Sequence, residues 1–69
     1  HYQIIGLMVY TFDGKYLGKI ESIIETGDVD VYVIKGEDKS EEYMIPAIKD
    51  IIIDINLESN KMVIKPMEF

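Results

Sequence analysis

Two close pairs of carboxylates, three serines and a single histidine are the residues of this sequence whose chemistry could be catalytic. The pairs are Asp28 with Asp30 and Glu41 with Glu42. Paired carboxyl groups work as general acid and base when burial raises one and leaves the other ionised. Both pairs fall in polar stretches or at strand ends, where solvated charge is the expected state. Ser22, Ser40 and Ser59 lie in no Gly-x-Ser-x-Gly elbow. His1 is terminal and the chain has no cysteine, so neither a nucleophile–imidazole pair nor a thiolate zinc site is expected. The run Glu25–Asp30 lacks the ligand spacing and closing glutamate of a calcium-binding hand. Gly27 and Gly36 open no helix and so form no phosphate cradle. These residues imply no enzyme, no cofactor and no metal.

The binding chemistry is more informative. The 69 residues carry 7 basic and 13 acidic side chains, a net charge of −6, and every basic residue except His1 is lysine. Such a surface repels phosphate backbones and lacks the arginines that usually read them, so direct nucleic-acid binding is not expected. It suits a basic protein. No apolar run approaches the length of a transmembrane helix, so no membrane partner is expected. A chain this short buries only about 60% of its unfolded surface, and here no disulfide can staple it.

The elements that must position these groups are strands. Thirteen isoleucines and five valines favour pleated structure. The pattern predicts strands over 4–12, 16–25, 30–35, 42–45, 51–56 and 62–65. Asp13-Gly14 predicts a two-residue type I′ hairpin turn. Gly18 predicts a bulge or tight bend, and Thr26-Gly27-Asp28 a second turn. The polar loop 36–41 is the most mobile on composition. Pro46 ends the fourth ladder, with at most one helical turn over 46–50. In the fifth strand Ile51, Ile53 and Ile55 are expected to face inward, with Ile52 on the outer face. Six short strands at this spacing predict an all-β sandwich or barrel, and closure favours the barrel because it removes edges. Both faces of several strands are apolar: Met8, Tyr10 and Phe12 oppose Leu7 and Val9, and Val31 and Val33 oppose Tyr32 and Ile34. The outer face therefore lies under a loop, a tail or a partner.

Several segments together resemble a known family. Ile4-Ile5-Gly6-Leu7, Asp13-Gly14 and Leu17-Gly18-Lys19-Ile20 are similar to the opening of PRC-barrel domains. The run Ile24-Glu25-Thr26-Gly27-Asp28-Val29-Asp30-Val31, followed by Val33-Ile34-Lys35, resembles the ETGxxDVxVI segment of the ribosome maturation factor RimM family. Ile45-Pro46 resembles that family's proline-phenylalanine step, with Ala47 in place of phenylalanine. Ile55-Asn56-Leu57 and Met62-Val63-Ile64 resemble its last hairpin, with Asn56 where aspartate is usual. The likeness covers nearly the whole chain in order. The family's tyrosine pair would lie upstream of His1, and Tyr2 does not stand for it.

The resemblance implies a small, six-stranded, mostly antiparallel PRC-type β-barrel over residues 1–69. This would be the C-terminal part of a two-domain chain, preceded by an N-terminal domain that is itself a partner. It implies a cytoplasmic, non-catalytic assembly factor acting on the 30S subunit. Such a factor binds a basic protein of the subunit head, the nineteenth by standard numbering, and assists head maturation and 16S rRNA processing. The expected partner-binding residues are Glu25, Thr26, Gly27 and Asp30 of the family-specific segment, with Tyr10 and Tyr32. Thr26 and Asp30 also have a structural reading, as short polar side chains that bond loop backbone. Two other readings stay open. One is a different PRC-barrel adaptor, stand-alone or tied to a membrane complex as in photosynthetic reaction-centre H subunits. The other is the accessory β domain of an enzyme.

Overall fold

The computed structural model describes residues 4–38 and 40–66. His1, Tyr2 and the tail expected at 67–69 lie outside the described residues. Six strands are present: β1 (Met8–Thr11), β2 (Tyr16–Ile24), β3 (Val31–Lys35), β4 (Glu42–Pro46), β5 (Ile52–Asn56) and β6 (Lys61–Ile64). No helix occurs among the described residues; the segment after Pro46 makes one turn, in which the Ile48 carbonyl accepts from the Ile51 and Ile52 N–H groups at 3.0 and 2.9 Å.

The strands form one sheet in the order β4-β3-β2-β1-β6-β5. The expected closed, mostly antiparallel barrel is corrected here. The sheet is mixed, because β1 and β6 pair in parallel, Met8 opposite Lys61 through Thr11 opposite Ile64. It is also open, because no ladder joins β4 to β5. Hairpin signals encode only neighbours in sequence, and those four pairings are antiparallel. The parallel pairing joins residues some fifty positions apart, which no turn motif announces. The segment between β4 and β5 is taken up by its own turn, which leaves both strands as edges.

The sheet nevertheless curls around a core. The chain as a whole measures 30 × 26 × 23 Å, whereas a flat sheet is only about 10 Å thick. The curl is built into β2. Its first half pairs with β1 and its second half with β3, and one extra residue is accommodated in each ladder, between Val9 and Tyr10 and between Ile20 and Ser22. Such bulges bend and twist a strand. Leu7, Val9, Leu17, Ile20, Ile34, Ile45, Met62 and Ile64 meet inside. Ile4, Tyr32, Tyr43, Ile51 and Ile52 cover them.

Two further expectations change. The first strand begins at Met8 rather than Ile4, because Ile4–Gly6 forms a turn closed by the Leu7 N–H on the Ile4 carbonyl. In β5 a bulge between Ile52 and Asp54 turns Ile52 inward, opposite buried Ile64, and leaves Ile53 42% exposed, while Ile55 keeps the expected face opposite buried Met62, 39% exposed on this edge strand. In the loop after β3, Gly36 donates to the Glu41 carbonyl, and the Asp38 carboxylate accepts the Ser40 N–H.

The hairpin at Asp13-Gly14 is also not type I′. Gly14 has φ 95° and Asp13 is not in the left-handed region. Thr11 and Lys15 face each other across a three-residue loop, with Gly14 N–H on the Thr11 carbonyl at 2.9 Å. This is a turn followed by a left-handed glycine, the usual solution for a three-residue hairpin loop. Thr11 clasps it. The Thr11 side chain is the buried polar one among the described residues. Its hydroxyl donates to the Asp13 carboxylate and accepts the Lys15 N–H at 3.1 Å. The Thr11 hydroxyl holds the Asp13 carboxyl below the ordinary aspartate value, against an opposing contribution from burial. A depressed carboxyl adds stability above its unfolded pKa and loses it as pH falls through the folded one. Acid titration of the melting midpoint below about pH 4 is therefore expected to be shallower in Asp13→Asn than in the parent. Identical acid limbs would show that the clasp does not discriminate the ionised form.

Candidate functional site

The β2–β3 loop presents most of the residues expected to bind a partner. Gly27 has φ 92°, as a tight turn there requires. The Thr26 hydroxyl donates to the Val29 carbonyl at 2.7 Å and accepts the Asp28 N–H at 3.4 Å. The Asp30 carbonyl accepts the Ala47 N–H at 2.8 Å, which ties the loop to the end of β4. The Thr26 side chain thus shapes the loop from within, as its structural reading anticipates, whereas Asp30 ties the loop down through its backbone carbonyl. Glu25 and Asp28 are exposed beside them.

Because Gly27 has open space where a Cβ would stand, Gly27→Val tests backbone conformation alone. It is expected to cost about 1 kcal/mol or more, read as a lower urea midpoint. An unchanged midpoint would mean that this turn relaxes to negative φ without loss.

The two tyrosines are not brought to this loop. Tyr32 lies opposite Ile45 and packs on the core, and burial pushes its phenol up, with Asp30 adding to the shift. Tyr10 stands on the outer face of β1, opposite Tyr16 with ring centroids 5.1 Å apart, and the Lys61 ammonium lies 5.4 Å from its ring. Tyr16 is at the far end of β2 from the loop, roughly 25 Å along the strand. Tyr10 therefore belongs to a separate aromatic cluster.

The structure adds residues that sequence reasoning did not single out. On the outer face, Ile24 lies opposite Val31, which lies opposite Pro46; Val33 lies opposite Met44. Ile24 is 43% and Met44 58% exposed. The next row is polar: the Lys35 ammonium lies 2.5 Å from Glu42 and 4.0 Å from Glu21. The Glu42 carboxylate raises the Lys35 pKa. The two-faced apolarity of β3 was the available signal, but which outer neighbours complete the strip depends on the β2–β3–β4 register.

Nothing in the site resembles a reaction centre. Glu41 accepts the Tyr43 hydroxyl at 3.2 Å and Glu42 engages Lys35, so that pair is divided between partners. A shallow groove of about 450 Å³ is lined by Tyr16, Lys19, Ile20, Glu21, Lys35 and Glu37 among others. It contains no nucleophile beside a base. Among the described residues no group of three or more His, Cys, Asp or Glu is placed to hold a metal ion. No helix among them is long and apolar enough to cross a membrane. What the site offers is an acidic loop and an apolar sheet face.

The RimM PRC barrel domain model matches residues 1–69. The chain belongs to the RimM PRC-barrel family. It is 49% identical over 65 residues to the ribosome maturation factor RimM of Clostridium novyi, covering 94% of this chain and 38% of that protein. It is 50% identical over 64 residues to that of Syntrophobacter fumaroxidans, covering 93% and 35%. The crystal structure of a 16S ribosomal RNA processing protein RimM from Pseudomonas aeruginosa matches with a TM-score of 0.88 at 29% identity, over 96% of this chain and 42% of that one. The chain thus spans well under half the length of these relatives.

Within the RimM frame, the two departures noted in the sequence have physical explanations. Asn56 Oδ1 accepts the Ser59 N–H at 3.0 Å, a bond that an aspartate oxygen would make equally. Ala47 contributes its backbone N–H to Asp30, so the bond survives whatever side chain follows Pro46.

Proposed function

We propose that this domain is a non-catalytic holding module of small-subunit assembly in the cytoplasm. It binds a basic protein of the 30S head, the nineteenth, and keeps it oriented while the head matures and 16S rRNA is processed. An N-terminal domain of the same parent chain is its other partner, and residues 1–69 act as one unit. The reading is supported by the relatives' names, ribosome maturation factor and 16S ribosomal RNA processing protein. The observation that carries it is the charge. A net −6 with no arginine over the whole chain, with Glu25 and Asp28 exposed on the β2–β3 loop, is complementary to a basic protein and repellent to RNA.

The test is calorimetric titration of the protein with the purified basic head protein at two salt concentrations. Affinity is expected to fall as salt rises, since exposed charges are screened within about 10 Å at 0.1 M salt. Equal affinity at low and high salt would remove the electrostatic basis of the reading.

A further inference from the structure

The acidic loop and the exposed apolar strip are continuous. Glu25 follows Ile24 directly in the chain, and Asp28 stands in the same loop. At the other end of the strip Glu42 shares the outer face with Met44, two residues along β4. β4 is an edge of the sheet, so nothing in the ladder order flanks it on its far side. We propose that this outer face of β2, β3 and β4 is where the basic partner docks. An apolar side chain of the partner seats between Ile24 and Met44, and its lysines or arginines reach the carboxylates at the two ends. The inference rests on the reading of the partner as a basic protein, and it adds the face and the mode of contact.

Charge decides the occupant. A second copy of this chain would bring its own Glu25, Asp28 and Glu42 against the same face, and like charges brought together across an interface are costly. A basic protein relieves that repulsion while covering the apolar strip. A central apolar anchor within a charged rim is the usual anatomy of a specific interface.

Ile24→Ser and Met44→Ser test the anchor, and the pair Glu25→Gln with Asp28→Asn tests the rim. Ile24 and Met44 are 43% and 58% exposed, so the fold should survive, which unchanged melting midpoints would verify. Phe12→Ser is the control, since Phe12 is 72% exposed in the β1–β2 turn, at the other end of β2. In titrations with the basic head protein, each anchor variant is expected to bind about tenfold more weakly and the rim variant to lose much of its salt dependence, with Phe12→Ser unchanged. Parent binding that neither anchor variant weakens overturns the docking face while leaving the proposed function standing. No binding by the folded parent overturns both. A dimer that Met44→Ser dissociates, with affinity for the basic protein intact, assigns the face to a second copy and also overturns the proposal.

Discussion

Gly18→Ala is expected to remove a large share of the protein's stability, read as a sharply lowered urea midpoint at room temperature. Gly18 has φ 150°, a conformation that side-chain-bearing residues rarely adopt, and a Cβ there would stand 2.1 Å from the Lys35 carbonyl oxygen and 2.9 Å from the Gly36 Cα. Those atoms are backbone and cannot step aside as a flexible side chain would. Backbone strain of about 1–3 kcal/mol adds to overpacking of about 1–3 kcal/mol. A domain of this size holds only about 3–10 kcal/mol in all. The consequence reaches beyond one contact, because Gly18 lies where β2 passes from its β1 partner to its β3 partner. Far-ultraviolet dichroism and a urea titration would measure the effect. A parent-like midpoint would mean that β2 does not run this close to the Lys35–Gly36 backbone. Comparison with Gly27→Val isolates the steric part, since Gly27 shares positive φ but has open space around it.

Ile45→Ala is expected to cost about 2–5 kcal/mol, the range for truncating a large buried aliphatic. Ile45 is fully buried and is the one buried side chain in β4. β4 is an edge strand with a single ladder partner, so it has no second ladder to hold it once its anchor shrinks. Hydrogen exchange of the β4 amides should therefore rise to a level set by local opening, ahead of β1 and β2. Met44→Ala one residue away points outward and should change stability by no more than about 0.5 kcal/mol. Equal losses from the two substitutions would show that β4 is not seated through Ile45. The pair also separates folding from recognition, because Met44 is proposed to matter to the partner and Ile45 to the core.

Much of this was legible in the residues. The alternation of β-branched residues, the glycine-bearing turns and the position of Pro46 placed all six strands within a few residues, because strand period and positive φ are local properties. Gly18 was readable as a bend, Gly27 as a turn and Thr26 as a loop clasp for the same reason. The acidic balance without arginine is a property of composition and needed no coordinates. The ordered segments around Glu25–Asp30 were specific enough to indicate the family.

Other features depended on distant parts of the chain meeting. The parallel β1–β6 pairing and the open β4 and β5 edges follow from how the final hairpin docks on β1, which no neighbouring residues encode. The β5 bulge let Ile52 and Ile55 both face the core with Ile53 outward, since one extra residue in a ladder breaks the strict alternation of faces. Tyr32 and Tyr10 looked alike in sequence, yet one packs on the core and the other joins Tyr16 and Lys61 on the outer face. Nothing in the residues themselves singled out Ile24 and Met44. Only the register of β2, β3 and β4 set them on one exposed strip beside the acidic loop, because the face a side chain takes is decided by its cross-strand partners as well as by its own type.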